Sequence, residues 1–492
     1  MFDYEFSAEG TKIVPKLALG GNWSPDHLNY TCFLRPNVKF HDGSPFNASA
    51  VKWNLDRIYR LKDYIYWNSW LQPDGTPIIN FTKTRVIDEY TIRFVLNKPF
   101  VPFEVRLGAG PKIISPLSTP YDNFSNFVTD KLVGTGPFKY DSSDVIYDSD
   151  LDEYYINRTT LSRYDNYWGE KPNFDKIVIK IFDNATKKGE ALLLGKIQGG
   201  QPNPFDPIVY EIAGLNLFNW TSTEVYYICM NNSIVNNTMR KAISYALDYD
   251  RLVPLGTGYI GKPPEVIRVR SPLSLGMLYS NWEDFEVPVL NITKARQVLK
   301  EANLPGTAGL TANDNVSTGN EWERLVENGN PLARFNFTYN VHPNWDFHRE
   351  MALLFQHNLT QIGINITISP GTFWDYFSDY ILGKSQFLLI GWEPDYNDPS
   401  NAMHAFTRES YDNYAMVNDT YLQDLIENAA QEYNELFREQ QYLEIQRYFI
   451  EELCPVILWY TPLTRFPLSP KIAGYNPYNN WNLPFYEWYF IP

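Results

Sequence analysis

Three carboxylates lie within six residues of one another in the stretch Gly391-Trp-Glu-Pro-Asp-Tyr-Asn-Asp-Pro399: Glu393, Asp395 and Asp398, with Trp392 beside them. Acids and an aromatic gathered at one place can receive a cation, line a ligand cleft or, if two acids converge, share acid–base work. Pro394, Asn397 and Pro399 mark the stretch as a loop, so a solvated acidic loop is the plain alternative. Immediately upstream, Phe387 to Ile390 is a short apolar run bounded by polar residues, which reads as a buried strand. A strand that hands a loop to solvent is a rigid support for a binding site.

Other chemistries find little footing. Neither a Gly-x-Ser-x-Gly elbow nor a His-Glu-x-x-His pair occurs, and six histidines leave few bases. His342, His348 and His357 are spaced so that they do not share one helical face. His41-Asp42 belongs to a turn rather than to a metal site. Gly256-Thr-Gly-Tyr-Ile-Gly-Lys262 fits two nucleotide-loop patterns, but Pro263 stands where a Mg²⁺-binding hydroxyl belongs, and the loop follows a helix instead of opening one. Gly134-Thr-Gly136 lacks the Lys-Ser/Thr of a phosphate loop. A glycosidase needs two chosen carboxylates, and nothing selects a pair. No catalytic residue, metal ligand or cofactor is therefore expected.

Bulk properties narrow the class further. A net charge of −15 argues against nucleic acid and against docking on an anionic membrane. No run of about 18 apolar residues exists to span a bilayer. Aromatics reach 16%, enough to fill cores or to line a cleft. Cys32, Cys229 and Cys454 lie far apart in apolar segments, which fits buried thiols, or one disulfide and an odd thiol.

Asparagine carries the compartment signal. Asn-x-Ser/Thr sequons start at Asn22, Asn29, Asn47, Asn80, Asn123, Asn157, Asn184, Asn219, Asn231, Asn236, Asn291, Asn315, Asn336, Asn358, Asn365 and Asn418. Chance would supply only about a third as many, so an exported, N-glycosylated chain is expected. Met1-Phe2-Asp3 opens with no basic start and no apolar run, so the chain is read as a mature or truncated form.

The supporting elements follow from periodicity. Strands are expected at Tyr30–Leu34, Val38–Phe40 and Val86–Leu96, and a helix follows the Asn47 cap with Val51, Leu55 and Ile58 inward. Further along, Glu224–Asn232 reads as a strand and Thr238–Leu252 as one amphipathic helix. Strand Phe335–Val341, helix Asp346–Gln361, strand Ile364–Ile368 and helix Phe373–Ile381 then lead into Phe387. Alternation of this kind implies a doubly wound α/β lobe. Asp419–Glu452 reads as two helices and Cys454–Tyr460 as a strand.

Several blocks match one family in order. Pro15-x-Leu-Ala, Leu34-Arg-Pro-x-Val-Lys-Phe-His-Asp-Gly43, the Ala50-Val-x-Trp53 helix, Gly134-Thr-Gly-Pro-Phe138, Asn166-Tyr-Trp-Gly and Gly391-Trp-x-x-Asp-Tyr-x-Asp-Pro399 resemble the family 5 solute-binding proteins, the oligopeptide and dipeptide receptors of ABC importers. The likeness spans essentially the whole chain, apart from a leading strand of the family that contacts ligand backbone and is absent here. It implies a two-lobed α/β periplasmic-binding-protein-like fold with an extra small subdomain and a ligand cleft at the hinge. The lobes implied are 1–224 (small subdomain about 9–130, main sheet about 131–224) and 225–464, with 465–492 returning to the first. Asp395 would take a peptide's α-ammonium. Trp392, Tyr396, Phe373 and Trp374 would line the cleft, and Arg349, with His348 next to it, would meet the carboxylate end. The expected partners are a peptide or other small solute and an importer permease. The expected location is extracytoplasmic, held at the membrane by an anchor outside this chain. An oligosaccharide receptor of the same family and a cell-surface structural protein reusing the fold are the alternatives.

Overall fold

The computed structural model describes residues 1–7, 10–62, 67, 70–110, 112–119, 133–148, 153–182, 185–200, 207–256, 266–313, 320–341, 347–476 and 485–491. The chain divides into two compact units. One comprises 1–71, 76–220 and 464–492; the other comprises 72–75 and 221–463.

In the first unit, β1 (Phe2–Ser7) and β2 (Gly10–Pro15) form an antiparallel hairpin. β3 (Ala18–Trp23), β4 (Asn29–Leu34), β5 (Arg85–Asp88) and β6 (Thr91–Val95) make an antiparallel sheet in the order β3-β4-β6-β5. The single strand expected over Val86–Leu96 is thus a hairpin. It turns where Asp88 Oδ1 accepts the Tyr90 amide at 2.9 Å, an Asx turn that alternation alone does not reveal. Helix α1 (Ala48–Leu61) starts where foreseen: Asn47 Oδ1 accepts the Ala50 amide at 3.0 Å, and Val51 and Leu55 are buried. At the turn, burial opposes ionisation of Asp42, but hydroxyls of Ser115, Ser118 and Ser44 hold its carboxyl down to about 2. β7 (Phe138–Asp148), β8 (Glu153–Arg163) and β9 (Lys176–Lys180) form a third antiparallel array. β10 (Asn216–Thr221) then brings the chain to the boundary.

The second unit is built on β11 (Val225–Met230), which pairs antiparallel with β15 (Phe387–Trp392) on one side and β16 (Val456–Leu468) on the other. β12 (Val266–Arg268) adds to β16. β13 (Ala333–Asn340) and β14 (Ile364–Gly371) are parallel, as a strand–helix–strand crossover requires. The unit is therefore mixed rather than uniformly doubly wound. The reason lies in chain routing: β11 carries the chain in and β16 carries it out, and antiparallel pairing sets those two ends together.

Ile228, Cys229 and Met230 lie at the centre of a core joined by Phe337, Phe355, Phe387 and Trp459. The one helix expected over Thr238–Leu252 is two, α2 (Asn237–Ala246) and α3 (Tyr249–Leu255). Asp248 leaves helical geometry (ψ 93°) and caps α3 by accepting the Arg251 amide at 3.2 Å. Helix α4 (Phe347–Thr360) joins β13 to β14, and α5 (Phe373–Ile381) follows β14. α6 (Pro399–His404), α7 (Thr420–Gln431) and α8 (Glu435–Arg447) complete this side. All three cysteines are free and buried, which selects the first of the two readings.

Candidate functional site

The acidic loop leaves β15 at a defined place. Trp392 pairs with Val225 and Gly391 with Tyr226, so the loop emerges beside the end of β11 at which the chain enters this unit. A Cβ on Gly391 would meet the Glu224 carboxylate and come within 2.8 Å of the Tyr226 ring. The pair Tyr226–Tyr460 stacks with centroids 4.5 Å apart, locking β11 to β16 just there.

Past β15 the loop is tied to the helices below it. Asp398 caps α6 by accepting the Ser400 amide at 2.9 Å, with Pro399 at the first helical position. Both Asp398 oxygens also receive Nη2 of Arg438, at 2.7 and 3.0 Å, with both side chains buried. Arg438 Nε donates to the Ala429 carbonyl at 3.0 Å, and burial works against its charge while Asp398 raises its pKa. Asp398 is the loop's anchor. The Asp395 amide donates to Asn401 Oδ1 at 2.5 Å, which fixes the backbone while the residue stays exposed.

Asp395 has an acidic neighbour that no motif marks. Asp412 is pushed up to about 6, by burial and then by the charge of Asp395. Glu393 is likewise raised, to about 7, by burial of its carboxyl and by Glu224; the Thr223 hydroxyl donates to it at 3.4 Å. Such suppressed acids ionise more readily once a cation arrives. Trp392, half-buried on the core, holds a buried Nε1 that meets no acceptor among the described residues.

Helix α5 belongs to the same end. Its capping box pairs the Thr372 hydroxyl with the Asp375 amide at 3.2 Å and the Asp375 carboxylate with the Thr372 amide at 3.0 Å. The Tyr376 hydroxyl donates to the Leu389 carbonyl at 2.9 Å and accepts the Leu389 amide, which pins α5 on β15. Tyr380 donates to the Tyr414 carbonyl at 2.7 Å, and the Phe377 and Tyr414 rings meet edge to face, so the segment carrying Asp412 is tied to α5 as well. Phe373 and Trp374 open the helix, 47% and 75% exposed, with rings 5.4 Å apart.

Tyr396, in the loop itself, is only 4% exposed. One expected ligand residue is corrected. His348 is buried between Phe347 and Tyr376, at ring distances of 4.6 and 5.3 Å, and burial drives its pKa down to about 3; it is a core imidazole. Arg349, beside it on α4, is exposed with Nη1 at 3.3 Å from Glu350. Two expected glycan acceptors are corrected too: Asn231 and Asn358 are buried, and their Oδ1 atoms accept the amides of Ser233 and Asp248. Asn123, Asn184 and Asn315 lie outside the described residues. Among the described residues, no group of three or more His, Cys, Asp or Glu side chains is set to hold a metal ion, and no helix is long and apolar enough to cross a membrane.

Comparisons with known proteins agree on one relationship. The model of the bacterial extracellular solute-binding proteins, family 5, middle region, matches residues 12–414. The probable D,D-dipeptide-binding periplasmic protein DdpA of Escherichia coli (strain K12) is 25% identical over 468 residues, covering 91% of this chain and 79% of its own. The dipeptide-binding protein of the same organism is 25% identical over 498 residues, covering 96% and 85%. Among solved structures, the ABC transporter-associated periplasmic binding protein DppA from Helicobacter pylori, in complex with peptide STSA, superposes with a TM-score of 0.73 at 23% identity, covering 100% of this chain and 92% of that one. The fold is that of the periplasmic binding proteins.

Proposed function

We propose, for a chain that belongs to the family 5 extracellular solute-binding proteins, that it is the extracytoplasmic peptide receptor of an ABC-type importer. Family membership makes it a binding protein rather than an enzyme. The peptide ligand is supported by the relatives, two of which carry dipeptides in their names and one of which was solved with a peptide.

The observation that carries the reading is Asp395: exposed, with a fixed backbone, beside a second acid, and at the end of the unit where the chain enters. A peptide's α-ammonium would sit against it, with Asp412 ionising as the cation arrives. Trp392, Phe373 and Trp374 would then supply apolar walls, and Arg349 the counter-charge for the far end. Lobes 1–224 and 225–464, with 465–492 returning to the first, would close over the ligand by a hinge shift of the kind such receptors use. The closed form would engage the permease, and an anchor outside this chain would hold the receptor at the cell surface.

The test is calorimetric titration with short peptides, each with a free and an acetylated N-terminus. Asp395→Asn should weaken binding of the free peptide at least about tenfold and leave the acetylated one unchanged. Equal loss for both, or none, removes Asp395 from the ammonium role. The exposed ring pair Phe373–Trp374 also suits a sugar face, and the oligosaccharide reading would prevail if oligosaccharides titrate where peptides do not.

A further inference from the structure

The family relationship leaves the sequons unexplained, and the structure sorts them. Asn22, Asn219, Asn236, Asn291, Asn336 and Asn418 are exposed. Asn236 and Asn291 are helix N-caps: Asn236 Oδ1 accepts the Met239 amide at 3.0 Å, and Asn291 Oδ1 accepts the Lys294 amide at 2.8 Å. The cap uses the carbonyl oxygen alone, so the carboxamide nitrogen of each is accessible. Asn336 differs, because its Nδ2 donates to the Lys384 carbonyl at 3.0 Å. Asn80 differs likewise: its Nδ2 donates to Asn97 Oδ1 at 3.0 Å. Asn231 and Asn358, 1% and 4% exposed, have no room for a substituent as large as a sugar.

We propose that Asn22, Asn219, Asn236, Asn291 and Asn418 are N-glycosylated in the native protein and that Asn231 and Asn358 are not. The proposal rests on the exported-receptor reading, since export brings the chain to the transfer machinery. The donor is an oligosaccharide carried on a polyisoprenyl phosphate. The asparagine Nδ2 forms a bond to the anomeric carbon, the bond from that carbon to the phosphate oxygen breaks, the lipid phosphate leaves with the electron pair, and the amide proton passes to a base of the transferase. No sequon starts between Asn365 and Asn418, the interval that holds α5, β15 and the acidic loop. None of the proposed glycans would be attached within that segment.

The experiment is site-localising mass spectrometry of peptides from protein purified from its native host, without any chemical release of glycans. Expected are sugar mass increments on the five proposed acceptors, with peptides bearing Asn231 and Asn358 at their plain masses. A second arm uses Thr293→Ala expressed in the same host, which removes the Asn291 sequon and keeps Asn291 as helix cap; it should lose one increment without loss of fold. A native chain unmodified at the five proposed acceptors, a sugar on Asn231 or Asn358 of folded protein, or an Asn291 still modified in Thr293→Ala would each overturn the proposal. Peptide titration of the same preparation tests the receptor reading separately, so the two can fail independently.

Discussion

Replacing Asp398 by alanine should do more damage than replacing any other acid of the loop. Its carboxylate and the Arg438 guanidinium are 5% and 4% exposed and joined at 2.7 and 3.0 Å. Alanine leaves the guanidinium buried without a counter-charge, with the Ala429 carbonyl on Nε and the Tyr279 and Tyr442 rings 5.6 and 5.2 Å away. Stranding one member of a buried pair costs about 3–5 kcal/mol. Loss of the α6 cap contributes about 1 kcal/mol more, not fully additive because the same oxygen serves both. At about 1.4 kcal/mol per decade, the opening equilibrium of the second unit should shift roughly a hundred-fold or more. A chain of two units need not unfold in one step, so hydrogen exchange at the amides of β11, the central strand, is the right assay. Adding Arg438→Met to Asp398→Ala should recover much of the loss, because an apolar replacement removes the stranded charge. Exchange in Asp398→Ala within tenfold of the parent, or a double variant no better than the single, would refute the buried-charge argument.

Other expectations concern the same unit. Gly391→Ala should destabilise it by about 1–3 kcal/mol, since the new methyl meets Glu224 and the Tyr226 ring; unchanged β11 exchange would mean the ring moves aside freely. His348 and His404 are held by burial at about 3 and about 4 against an ordinary 6.5, so their share of stability is whole above pH 6.5 and is lost as pH falls toward those values. His348→Leu should therefore flatten the acid side of a urea-midpoint profile between pH 6.5 and about 4, and an unchanged slope would contradict the assignment. Glu393 and Asp412 act in the opposite sense: their contribution is present at low pH and fades as pH rises through about 6 to 7. Asp412→Asn should thus reduce the loss of stability between pH 5 and 7 in ligand-free protein, and a slope equal to the parent's would count against burial of that carboxyl.

Much of the positioning framework was legible because its signals are local. The apolar run at Phe387, the Asn47 cap, the α5 residues Phe373–Ile381 and the loop punctuated by Pro394 and Pro399 each declare themselves within a few residues. What stayed hidden depends on partners distant in sequence. Nothing near Asp398 announces Arg438, forty residues on, and nothing near Asp395 announces Asp412. Tyr396 and His348 sit next to plausible ligand residues, and only packing decides which neighbour turns inward. The break at Asp248 leaves no mark in the periodicity, because an amphipathic period runs on across a capped interruption.

The three thiols have a use beyond their place in the core. Cys32 lies in the first unit and Cys229 and Cys454 in the second, all buried, with burial driving the Cys32 and Cys454 thiols up to about 12 and about 11. A thiol reagent can reach none of them without local opening, and the labelled peptide identifies which unit opened. The protein thus comes with its own pair of clocks: alkylation timed with and without solute would reveal which half a guest braces.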